Sequence, residues 1–105
     1  MKELPTWGGR SRFRYSGSIA SGTDIRYGGN GRQFISHEQY AALLRHFKGR
    51  TVNIGTSRDN RPRGSVGEWL KEHVTQTAIA SYVGAILMHE GYAEKGVKSS
   101  EIRLT

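Results

Sequence analysis

Arginine is the residue type whose placement in this chain suggests chemistry. Arg58, Arg61 and Arg63 crowd into one polar, turn-rich stretch, Gly55 to Gly64. A guanidinium offers planar donors that match two phosphate oxygens at once, and a helix start adds backbone N–H groups and a positive dipole end. Three arginines just ahead of a helix would therefore clamp a phosphate. A second set, Arg12, Arg14 and Arg26, alternates with Phe13, Tyr15, Ile25 and Tyr27 in the stretches 12–15 and 24–27. In extended backbone successive side chains point to opposite faces, which gathers the three arginines on one face and the four apolar residues on the other. Cations beside aromatic rings suit a nucleic-acid strand, and the same rings equally suit the packed underside of a hairpin.

Other chemistry is poorly provided for. The chain has no cysteine, which removes disulfides, thiolate metal sites and thiol nucleophiles together. The histidines, His37, His46, His73 and His89, do not fall at metal-ligand spacing, and Gly28-Gly29-Asn30-Gly31 lacks the spacing and the lysine of a phosphate loop. His46, between Arg45 and Lys48, has a cationic neighbourhood but no recognisable acid or base partner. The sequence thus predicts neither catalysis nor a metal or other cofactor.

The elements that must position the arginines can be read from patterning. Residues 1–34 hold half of the fourteen glycines and many serines, a composition of turns and loops in which the two alternating stretches predict a hairpin. Ser36 followed by Gln39 is a capping box, and Tyr40, Leu43, Leu44 and Phe47 recur at helical spacing, so a helix is expected over 37–48, ended by Gly49. Thr51 to Ile54 predicts a short strand. Ser65 and Glu68 repeat the capping spacing and open a second helix with Val66, Trp69, Leu70 and Val74 on its core face.

A second apolar set, Ile79, Tyr82, Val83, Ile86 and Leu87, follows. On one continuous helix the two sets would point ~15° and ~230° around the axis, too far apart to face a single core. A break near Thr75-Gln76-Thr77 is therefore expected, with Thr75 as N-cap of a third helix that Gly91 terminates. Tyr92 to Lys95 and Glu101 to Thr105 predict a final hairpin.

Charge is distributed unevenly along these elements. Net charge is +7 with a pI near 10.1. Residues 1–35 hold six cations and two anions, residues 36–64 six and two, and residues 65–105 four and five. The excess belongs to the first 64 residues and favours a polyanionic partner, most commonly nucleic acid. No apolar run approaches the ~20 residues of a membrane span, so the expectation is a cytoplasmic protein without membrane association.

Helix, strand, helix, turn, helix and hairpin is the order of a winged helix-turn-helix domain. The wording Ile86-Leu87-Met88-His89-Glu90-Gly91-Tyr92-Ala93, returning through Ile102-Arg103-Leu104-Thr105, resembles the end of the recognition helix and the wing of bacterial winged-helix regulators. The resemblance implies an α+β fold, with a three-helix winged-helix domain and small antiparallel sheet at 36–105 behind a Gly/Arg-rich arm or hairpin at 1–35. It also implies duplex DNA as ligand and a role in transcription regulation. Carried over by position, base or phosphate contacts fall on Gln76, Thr77 and Ser81, with backbone contacts from Lys95 and Lys98 on the wing. The chain departs from the family in having no Lys or Arg between residues 75 and 90. Its smooth outer face of Thr77, Ser81, Gly84 and Met88 also suits a docked protein. Two other readings stand beside the DNA-binding one: a winged-helix module for protein partners or self-association, and a basic RNA-binding protein.

Overall fold

The alternation at residues 12–15 and 24–27 sits inside a sheet larger than a hairpin. In the computed structural model, which describes residues 1–105, β1 (Lys2–Pro5), β2 (Arg12–Ser18), β3 (Gly22–Tyr27) and β4 (Gly31–Ile35) pair antiparallel in sequence order. The expected division of faces is present: Phe13, Tyr15 and Ile25 are buried, while Arg12, Arg14 and Arg26 are exposed. Residues 1–35 are thus a four-stranded meander rather than an arm or single hairpin. The outer two strands carry little patterning of their own. β1 contributes only Leu4 to the apolar side, and β4 exposes Phe34 while its neighbour Gln33 is half-buried.

Helix α1 (His37–Phe47) opens with both halves of the capping box, Ser36 Oγ accepting from the Gln39 N–H at 3.1 Å and Gln39 Oε1 from the Ser36 N–H at 3.0 Å. β5 (Thr51–Asn53) leads through the polar loop to α2 (Val66–His73). Here Ser65 Oγ accepts from the Glu68 N–H at 3.0 Å, but Glu68 reaches back to the Gly64 N–H at 2.8 Å instead of closing a box on Ser65. The break after α2 falls where the phase argument requires it. Thr75, however, does not cap the next helix: α3 (Ala80–His89) starts at the buried anchor Ile79, its N-cap, and Thr75 Oγ1 accepts from the Thr77 N–H within the connecting turn. Gly49 and Gly91, with φ of +72° and +86°, follow α1 and α3 in the left-handed conformation that glycine tolerates best. β6 (Ala93–Lys95) and β7 (Glu101–Leu104) complete a second antiparallel sheet in the order β5-β7-β6. No helix is long and apolar enough to cross a membrane.

The two sheets and three helices share one core of 21 buried residues, six of which, Trp7, Phe13, Tyr15, Ile19, Ile25 and Ile35, come from the N-terminal meander. Helix α3 is its axis. Tyr82 stacks on Tyr27 with ring centroids 4.7 Å apart and meets Phe13 at 5.1 Å. Gly84 admits Trp7: a Cβ at this position would lie 2.8 Å from Trp7 Cε3 and 2.8 Å from Ile54 Cδ1. Thr23 and Tyr40 join hydroxyls at 2.7 Å between β3 and α1.

Glu90 fastens the end of α3 to the meander. The Tyr15 hydroxyl donates to Oε2 at 2.7 Å and the Ile19 N–H to Oε1 at 3.0 Å. Burial, reinforced by this hydrogen bond, pushes the Tyr15 hydroxyl pKa well above its ordinary value, so the group remains a donor throughout the neutral range. Hydrogen bonds to a charged acceptor contribute about 1.5–3 kcal/mol, and truncating one partner leaves the other desolvated. Glu90→Ala should accordingly lower unfolding free energy by about 2 kcal/mol in urea titrations, and a double-mutant cycle with Tyr15→Phe should be clearly non-additive. Additive losses would place this contact outside the energetics of the fold.

Candidate nucleic-acid interface

Strand register carries the arginines of the meander into a row. Glu3 on β1 pairs with Arg14 on β2, Arg14 with Arg26 on β3, and Arg26 with Arg32 on β4. Neighbouring strands lie about 4.8 Å apart, so three cations stand side by side on the outer face. Like charges directly opposite one another destabilise a sheet. Asp24, one row away on the same face, offsets this by taking Arg26 Nε at 3.2 Å and Arg32 Nη2 at 2.9 Å. The hydrogen bond from Arg26, followed by that from Arg32, holds the Asp24 carboxyl below its usual range. Glu3 takes Arg12 Nε at 3.0 Å, and Arg14, at the β2 end of the row, has no ion-pair partner.

The four guanidiniums line a depression of about 280 Å³ closed at one end by the Gly28–Gly31 turn. Beside Asp24, across the β3–β4 pairing, stands Phe34, 58% exposed. Its ring tip lies over Gly22, where an added Cβ would come within 3.2 Å of Cζ. By contrast Phe13 and Tyr15 pack beneath the sheet, which settles their part of the sequence ambiguity in favour of the core.

The remaining sequence candidates fall in other places. Arg61 is half-buried and structural: Nη2 donates to the Gln76 carbonyl at 2.9 Å and Nε to the Ser57 carbonyl at 3.3 Å, tying the loop to the α2–α3 turn. Arg58 and Arg63 are exposed. Gln76 and Thr77 are exposed but lie in that turn, ahead of α3 rather than on its face. Ser81 is on α3, half-buried, with its carbonyl accepting the Trp7 N–H at 2.9 Å.

The outer face of α3, expected to be open for base reading, is covered. Trp7 seats on Gly84, and only His89 among residues 80–89 is exposed. The physical reason is the smallness that made the face look smooth: with no long side chain at 81 or 84, the loop after β1 closes onto the helix. Trp7 is held there from three sides. Besides its own N–H, its indole Nε1 donates to the Ser99 carbonyl at 2.9 Å, and Lys95 Nζ donates to its carbonyl at 3.2 Å while lying 4.9 Å from the ring centroid. Lys95, though exposed, is thus engaged with Trp7, and Lys98 is exposed in the β6–β7 loop.

The sequence candidates therefore divide among the outer sheet face, the loop with the adjoining turn, helix α3 and the β6–β7 hairpin. The inner sheet face packs on α3 through Phe13 and Tyr27, so the arginine row points away from that helix. Arg32, Asp24 and Phe34 are members of the site that sequence reasoning missed. The available signal was Asn30-Gly31, a turn dipeptide that would have placed a strand after it. Compared with known proteins, the chain matches no family model, no curated protein and no solved structure.

Because the folded-state pKa of Asp24 is lowered, its contribution to stability is present above the ordinary value of 3.8 and is lost as pH falls through the lowered one. Carboxyl carbon shifts followed by NMR should show Asp24 titrating below 3.8, and Arg26→Gln should move the midpoint upward. Titration of the native chain at the ordinary value would mean that the arginine fork does not form in solution.

Proposed function

We propose that this chain is a basic, cytoplasmic nucleic-acid-binding protein built on a winged-helix unit, and that it holds phosphates on the outer face of its N-terminal sheet. The observation that carries the reading is the in-register row Arg14, Arg26, Arg32, with Arg12 beside it and Asp24 orienting two of the four. Fixed guanidiniums lose less freedom on binding than mobile ones, and each phosphate they engage releases condensed counterions.

The order helix, strand, helix, helix, hairpin with sheet order β5-β7-β6 supports the winged-helix reading of residues 36–105. In that reading β6–β7 is the wing, and Lys98 with Arg58 and Arg63 supplies secondary backbone contacts. Covering of α3 by Trp7 argues for phosphate-dominated binding with little base readout from Ser81, while Gln76 and Thr77 stay exposed in the turn ahead of the helix. The same cover takes up Gly84, part of the smooth face on which the protein-docking alternative rests, and so favours the nucleic-acid reading.

Titration of a labelled oligonucleotide at several salt concentrations tests the assignment. Neutralising Arg14, Arg26 and Arg32 to Gln together should weaken binding at least about tenfold and flatten the log–log salt slope by about 2. The pair Arg58→Gln and Arg63→Gln should have the smaller effect. A triple variant that stays folded and binds with native affinity and slope would overturn the sheet face as the site.

A further inference from the structure

Phe34 is not explained by burial. Position 34 alternates with position 35, where Ile35 is in the core, and Phe34 is one of only three large apolar side chains left exposed. It shares a face with Arg32, two residues earlier on the same strand and so about 7 Å away. It also flanks Asp24, which grips Arg26 and Arg32. Contact of its ring tip with Gly22 fixes where the side chain lies without removing it from solvent.

A sheet face bearing a row of guanidiniums and one open aromatic ring presents two kinds of contact. The cations attract phosphate oxygens of any polyanion. The ring adds nothing to a polyanion without bases, and little to a duplex, whose bases already stack on one another inside the phosphate rails. It gains only when an unpaired base is free to lie against it, and such stacking tolerates every base because each has a π face.

Resting on the phosphate-binding reading above, we propose that the arginine face takes a single strand of nucleic acid, with one unpaired base stacked on Phe34 while Arg14, Arg26 and Arg32 hold the adjoining phosphates. The free ring and the arginine row, brought together by the β3–β4 register, recognise the two halves of a nucleotide at once.

The test uses the full chain with four labelled probes: oligothymidylate, oligouridylate, a duplex of the same length, and polyglutamate as a polyanion without bases. One or both single strands should bind at least about tenfold more tightly than the duplex. Phe34→Ala should weaken that binding by about tenfold, within the range for loss of one stacked base, while leaving the salt slope and polyglutamate binding unchanged. Phe34→Leu keeps an apolar cover over Gly22 and should lose the same affinity with an unchanged melting curve, whereas Phe34→Tyr should retain it. Duplex binding as tight as single-strand binding, or a folded Phe34→Leu variant with native single-strand affinity, would overturn the proposal and leave the phosphate site standing. Failure of the Arg14, Arg26 and Arg32 triple variant to weaken any probe would instead overturn the reading on which it rests.

Discussion

Two sheets close on a single helix, and that helix must accept neighbours on both sides. Few α3 sequences permit this. A long or charged residue at 81 or 84 would keep Trp7 from its seat, and burying an unpaired charge there would cost several kcal/mol. Ser81, Gly84 and the absence of Lys and Arg from 75 to 90 satisfy the condition. With α3 so enclosed, the aromatic contact of Tyr82 with Tyr27 and Phe13 sets where the meander sits, and Glu90 secures its far corner. The position of the arginine face follows, because β2 and β3 cannot turn their aromatic residues inward without turning their arginines out.

This coupling between inner and outer faces gives the arginine row its support. Three cations in register oppose strand pairing, and Asp24 supplies one counter-charge for two of them at the surface, where ion pairs contribute little. The larger compensation lies underneath, in the burial of Phe13, Tyr15 and Ile25 directly behind the charges. A surface built to attract polyanions is thus held in place by apolar area on the other side of the same strands.

Much of the fold was legible in the residues themselves. Ser36 with Gln39, the heptad-like spacing from Tyr40 to Phe47, and the phase conflict between Val66–Val74 and Ile79–Leu87 located the helices and the break between α2 and α3, because caps and periodicity are local properties. The site was legible only in part. Arg12, Arg14 and Arg26 could be placed on one face, but their alignment with Arg32 depends on turn lengths that set register between strands. Phe34 was hidden by its own exposure, since apolar residues are read as core. Arg61 gave no sign that a backbone carbonyl at Gln76 would claim it. A face made of Ser81, Gly84 and Met88 reads the same whether solvent, nucleic acid or another part of the chain lies against it.

The Trp7–Ser99 hydrogen bond joins residues 92 positions apart, which bears on the order of events in folding. The meander is assembled from hairpins and needs only short loop closures, so it can form early. Its inner aromatic face is then covered only where α1 packs on β3 until the segment from Ala80 to His89 arrives, and Trp7 gains its last partner only when the β6–β7 loop has closed. Until that moment a sheet with a partly uncovered apolar side and two unpaired edges is presented to other chains, the arrangement from which intermolecular association starts. The net positive charge of the arginines on its other side works against that association.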